Sequence, residues 1–158
     1  MFKIFNKNKD IRILAPIDGE VIDLSQVSDP VFAEKMVGDG VAIKPKGGKI
    51  VSPIKGKVIN VFPTKHAIGI ESEKGVEILI HIGLDTVKLE GRGFTKLIEE
   101  GDKVEVGTPL MDVDWEYLKS QGICTDTPIV ITDAKGYKLE HINVKECMTG
   151  KTEIIILK

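Results

Sequence analysis

Short apolar stretches recur along the chain, separated by turn residues at intervals of roughly 8–12 positions. EVIDL, VAIKP, KVINVF, AIGIE, VEILIHI, PIVIT and TEIIIL are rich in valine and isoleucine, and several alternate apolar with polar. Alternation at period two in β-branched segments predicts strands with one buried face. Sixteen glycines and seven prolines punctuate them. The pattern predicts an all-β fold, an antiparallel sandwich or barrel. Helical periodicity is confined to FTKLIEEGD, closed by Gly101, and WEYLKSQG, closed by Gly122. Each predicts one or two short helical turns.

Two segments match each other. APIDGEVIDL (15–24) and SPIKGKVINVF (52–62) share P-I-x-G-x-V-I, so an internally duplicated sandwich is expected. In each, the glycine is read as supplying the backbone angle that turns the chain into a strand. EGDKVEVGTPLMDVD adds a G-x-x-V-x-x-G turn. That turn resembles those of barrel-sandwich domains that carry biotin or lipoate, but the displayed lysine motif of such carriers is missing.

The composition narrows the function classes. With 158 residues, the chain can bury one sizeable core. Net charge is −2, from 22 basic and 24 acidic residues, which does not suit a nucleic-acid binder. The longest unbroken apolar run, Ile154–Leu157, is strand-sized and far too short to span a bilayer. Cys124 and Cys147 have no metal-like spacing and make no disulfide framework, so both are expected reduced, in a cytoplasmic protein. The basic start, MFKIFNKNKD, lacks a signal peptide's apolar segment and reads as a flexible tail over 1–10. Its methionine favours a free-standing chain.

Candidate chemistry centres on histidine, of which there are three: His66, His81 and His141. Along the strand through His81, Val76, Ile78 and Ile80 share the core face, while Glu77, Leu79 and His81 share the other. HAIGIESEKGVEILIH reads as a hairpin turning at Glu73-Lys74-Gly75, with His66 and His81 at its ends and opposed. Two opposed imidazoles can share one tetrahedral ligand, a phosphoryl group or a metal ion. The parity leaves two alternatives. A flat strand with Ile68 and Ile70 in the core sends His66 into the core as well; a break in the pleat near Lys65–Ala67 frees it to meet His81. A neutral imidazole is a good nucleophile toward phosphorus near neutral pH, and a second imidazole can hydrogen-bond the phosphoryl oxygens. Thr64 is placed to orient the His66 ring, and the Gly83 carbonyl to meet the other nitrogen of His81. His141 reads as a surface residue with no role.

VFAEKMVGDGVAIKP (31–45), FPTKHAIGIESEKGVEILIHIGLDTVKLEGRGF (62–94) and EEGDKVEVGTPL (99–110) resemble the glucose-type enzyme IIA component of the bacterial phosphoenolpyruvate-dependent sugar phosphotransferase system. The most specific element is H-I-G-L-D-T-V with a second histidine fifteen residues earlier. The resemblance runs from about Ile11 to the C-terminus, implying one enzyme IIA domain over 11–158. It implies an antiparallel, internally duplicated sandwich and a phosphotransferase that forms a phosphohistidine and requires no cofactor. The phosphoryl group would come from the phosphocarrier HPr and go to a cysteine on the IIB domain of a membrane sugar permease. His81 matches the phosphorylated residue, His66 the partner that stabilises the phosphoryl group, and Thr64 the hydroxyl that orients it. Asp29 and Asp85 match acidic residues at the rim. Val31, Phe32, Met36, Val37 and Phe62 match an apolar collar for docking partners.

Two other readings stand beside this one. The duplicated sandwich also occurs in zinc endopeptidases, but their H-x-H pair is absent here, and two histidines fall short of the three protein ligands of a catalytic zinc. A zinc shared by His66 and His81 with a partner's carboxylate is compatible with the resembling family. The chain can also act as a regulatory module, docking metabolic enzymes or transporters according to its phosphorylation state.

Overall fold

A computed structural model describes residues 9–158. Of the expected tail over 1–10, only Lys9 and Asp10, both exposed, fall within the described residues.

Among the described residues the strands pair antiparallel, in one eight-stranded sheet and two three-stranded ones. The middle of the large sheet runs in the order Asp18–Asp23, Asp39–Gly47, Thr127–Asp133, Glu77–His81, Ala67–Ser72, Gly56–Val61. One small sheet joins Ile11–Leu14, Glu153–Leu157 and Leu139–His141; the other joins Ile50–Val51, Pro109–Val113 and Phe94–Lys96. This is the all-β antiparallel architecture that the alternation predicts.

The period of two sorts side chains onto two separate cores. Val41, Ile43, Ile78, Ile80, Ile129 and Ile131 belong to the main core, which also holds Ile13, Ile50, Ile68, Ile70, Leu110 and Ile155. Their alternating neighbours Ala42 and Val130, with Ile22 paired to Ala42, form a smaller cluster with Leu24, Val27, Phe32 and Leu84, against which Leu79 packs. Burying one such aliphatic side chain is worth about 1.5–3 kcal/mol, so both clusters hold the sheet. The second cluster lies on the face that His81 shares with Leu79, so the site has a packed floor.

The repeated motif marks a structural repeat. Leu14 N–H donates to the Pro53 carbonyl at 3.0 Å, and Val51 N–H donates to the Pro16 carbonyl at 2.9 Å. Each donor stands two residues before its own repeat's proline, so the two copies bind each other reciprocally. Their glycines do the same job twice. A Cβ on Gly19 would lie 2.2 Å from the Lys44 carbonyl oxygen, and one on Gly56 would lie 2.2 Å from that of Glu71. Neither glycine is among the positive-φ residues. The reason for glycine is thus close approach of a neighbouring strand, and not the unusual backbone angle expected.

Helical expectations divide. WEYLKSQG is the helix Trp115–Ser120, capped where Tyr117 N–H donates to Asp114 at 3.0 Å, and ended at Gly122 (φ +76°). FTKLIEEGD is not helical: Phe94–Lys96 is a strand, paired with Met111–Val113. Pairing on that sheet buries Phe94 without a helix, which overrides the local periodicity. An unexpected one-turn helix, Pro30–Ala33, starts at Asp29, whose carboxylate accepts from Val31 N–H at 2.9 Å. Its signal is the Asp-Pro pair, an N-cap followed by proline at the first helical position.

Candidate functional site

His81 ends the strand Glu77–His81, and its cross-strand partner is Ala67. His66 is therefore not directly opposed to His81, as the hairpin reading expects; its carbonyl accepts from Ile82 N–H at 2.7 Å. A turn before His66 brings the rings together nonetheless. Lys65 N–H donates to the Phe62 carbonyl at 2.7 Å, Phe62 N–H donates to that of Ala67 at 3.0 Å, and Lys65 has φ of +63°. A left-handed residue cannot continue a pleated strand, so the alternation breaks at Lys65. His66 then leaves the face of Ile68 and Ile70, and its ring centroid lies 4.9 Å from that of His81, with planes at 78°.

Each imidazole is held at Nδ1. His81 Nδ1 meets the Gly83 carbonyl oxygen at 2.7 Å. A carbonyl only accepts, so Nδ1 carries the proton and Nε2 the lone pair. His66 Nδ1 lies 2.7 Å from the Thr64 hydroxyl. Aromatic rings close the back of both: Phe32 lies 4.8 Å from His81 at 56°, and Phe62 lies 5.5 Å from His66 at 78°.

These surroundings favour the neutral form of both rings. His66, only 5% exposed, has its pKa pushed down to about 4, by burial first and then by the adjacent His81, against a raising hydrogen bond to the Thr64 backbone. The pKa of His81 is also lowered by burial, while the Gly83 carbonyl and then Asp29 and Asp85 pull it back up. Asp85 follows in a left-handed conformation (φ +59°) with its side chain exposed.

The collar residues divide. Val31, Met36 and Val37 are exposed, Met36 at 68%, and Phe62 is half-buried. Phe32 is 4% exposed and belongs to the second cluster. Val87 is an exposed apolar residue on the short helical turn just after Asp85, and the sequence reading does not single it out. The same turn carries Thr86, fully buried, whose hydroxyl donates to the Ile82 carbonyl at 2.7 Å. Its only sequence signal is its place in the D-T-V that follows His81. His141 lies in a different sheet, exposed, with Nε2 3.5 Å from Asp39. Among the described residues, no group of three His, Cys, Asp or Glu stands close enough to hold a metal ion. The two imidazoles alone fall one short of a catalytic zinc's usual three protein ligands.

Residues 11–137 match the family model described as phosphoenolpyruvate-dependent sugar phosphotransferase system, EIIA 1. The chain belongs to that family. Membership makes it a phosphocarrier component of sugar transport, a phosphotransferase that works through a phosphohistidine. Among EIIA relatives, the PTS system glucose-specific EIIA component of Staphylococcus epidermidis is 46% identical, over 97% of this chain and 95% of that protein. The component so named from Oceanobacillus iheyensis is 47% identical, over 98% and 95%. The PTS system glucose-specific EIICBA component of Staphylococcus carnosus is 52% identical over 91% of this chain, which spans only 21% of that longer protein. In three dimensions the chain superposes on glucose permease IIA from Mycoplasma capricolum with a TM-score of 0.91 at 42% identity, covering 96% of this chain and 98% of that one. Among the described residues of this EIIA, no helix is long and apolar enough to cross a membrane.

Proposed function

We propose that His81 is the residue phosphorylated, with residues 11–158 acting as one carrier domain in the cytoplasm. The observation that carries this reading is the 2.7 Å contact of His81 Nδ1 with the Gly83 carbonyl, which leaves Nε2 the nucleophilic nitrogen. Nε2 attacks the phosphorus of phospho-HPr; the new P–N bond forms as the P–N bond to the donor histidine breaks, and that ring regains a proton. In the second step a cysteine thiolate on the IIB domain of a membrane sugar permease takes the phosphoryl group, and the His81–phosphorus bond breaks. Thr64 donates its hydroxyl proton toward His66 Nδ1, so His66 holds a proton on Nε2 and donates it to a phosphoryl oxygen in both steps. A neutral His66 fits this role, because it donates without drawing the phosphoryl group into an ion pair.

Asp29 and Asp85 offer carboxylates to basic groups on both partners, and Val31, Met36, Val37 and Phe62 form the apolar surface on which they dock. Phe32 serves from beneath, holding the His81 ring. Phosphorylation adds about two negative charges to this face, which would switch its affinity for other metabolic enzymes or transporters. A zinc ion here would have two imidazole nitrogens and require a partner's carboxylate to complete its set.

The test is intact mass after incubation with phosphoenolpyruvate, enzyme I and HPr. Wild type should gain one acid-labile phosphate, His81→Ala none. His66→Ala should accept phosphate but pass it on poorly. An unphosphorylated wild type with proven active donors overturns the reading.

A further inference from the structure

The turn that follows His81 is built around one buried hydroxyl. Thr86 is fully buried, and its Oγ1–H donates to the Ile82 carbonyl at 2.7 Å. Ile82 in turn donates its own N–H to the His66 carbonyl at 2.7 Å. Gly83 comes next, with φ of +73°, and its carbonyl meets His81 Nδ1. The Ile82 carbonyl and the Gly83 N–H belong to one planar peptide, so holding that carbonyl fixes the plane. Only the φ and ψ of Gly83 then separate the fixed plane from the carbonyl that meets His81. Glycine is the residue with the most freedom at those two angles. Only glycine fits here, since Thr86 Cγ2 lies 2.7 Å from where a Gly83 Cβ would stand.

We propose that Thr86 is a positioning residue for phosphotransfer. Its hydroxyl clamps the Ile82–Gly83 peptide so that the Gly83 carbonyl keeps the His81 proton on Nδ1 and leaves Nε2 open. Through the two hydrogen bonds of Ile82, it also ties that tautomer to the position of His66. The proposal rests on the reading of His81 as the phosphoryl acceptor.

The experiment compares the full chain as wild type, Thr86→Val, Thr86→Ala and Thr86→Ser. The His81 tautomer is read at a fixed neutral pH from long-range ¹H–¹⁵N spectra, and phosphoryl acceptance is timed from phospho-HPr. Wild type should show His81 protonated at Nδ1. Thr86→Val, which keeps the shape and loses the hydroxyl, should show a mixture of tautomers and accept phosphate about tenfold more slowly. Thr86→Ser should restore both. A folded Thr86→Val or Thr86→Ala with the wild-type tautomer and rate overturns the proposal. So does a Thr86→Ser variant as slow as Thr86→Val with the tautomer unchanged, because the methyl and not the hydroxyl would then matter. Should Thr86→Val not fold, Thr86→Ala against Thr86→Ser decides the same point. A His81→Ala chain that still accepts phosphate would refute the acceptor reading alone, leaving the tautomer result to stand by itself.

Discussion

The ring of Phe32 lies 4.8 Å from that of His81, tilted at 56°, although the two come from different elements of the fold. Phe32 projects from the one-turn helix Pro30–Ala33 into the second cluster, so it anchors that helix and backs the imidazole together. Phe32→Ala should cost about 3–5 kcal/mol of stability by equilibrium urea unfolding. It should also shorten the lifetime of the phosphohistidine, since water reaches the ring from behind. Phe32→Leu should keep most of the stability and lose the ring contact. A phosphohistidine lifetime unchanged in both variants would mean that Phe32 serves only the core.

Asp29 has two separable effects. Its carboxylate caps the helix through Val31 N–H at 2.9 Å, and its charge helps pull the pKa of His81 back up. Asp29→Ala should lose about 1 kcal/mol in thermal or urea unfolding and lower the pKa of His81 in an NMR titration. Asp29→Ser should keep the cap and lower the pKa alike. Equal pKa values in wild type and Asp29→Ser would show that the charge does not reach the ring.

Acid should weaken the fold partly through His66. An unfolded His66 takes a proton near pH 6.5, whereas the folded one resists until about pH 4. The stability that neutral His66 represents is therefore complete above pH 6.5 and is lost as the pH falls toward 4. The upper bound is about 3 kcal/mol. Urea midpoints at pH 7 and pH 4.5 should fall further apart in wild type than in His66→Gln. The comparison cancels carboxylates such as Asp18, held low first by the Thr149 amide. An identical pH dependence in both chains would contradict the buried neutral state.

Gly83→Ala tests the turn from its other side. The added Cβ would meet Thr86 Cγ2 at 2.7 Å and the Cys124 carbonyl oxygen at 3.2 Å, in a backbone conformation with φ of +73°. A loss of about 2–3 kcal/mol is expected, with slower phosphoryl acceptance as the carbonyl shifts away from His81. Wild-type stability and rate together would show that the turn tolerates a side chain.

The amino-acid sequence by itself determined which faces are buried and which residue types meet at the site. Period-two alternation put Val76, Ile78 and Ile80 inside and His81 out, and short sequence separations sufficed to pair Thr64 with His66 and Gly83 with His81. It also carried the repeat, since P-I-x-G-x-V-I appears twice in plain view. Three matters were decided only by tertiary structure. Lys65 adopts a left-handed conformation that a lysine does not announce, and that conformation brings His66 to His81 past a register in which Ala67 is the partner. Phe32, matched to the collar, instead lies buried beside His81 because the Pro30–Ala33 helix packs over the second face of the sheet. Phe94–Lys96 became a strand because Met111–Val113 offers it a partner. In each case the outcome depends on pairing and burial between segments distant along the chain, whereas a local pattern records only turn chemistry and the side of a strand on which each residue falls.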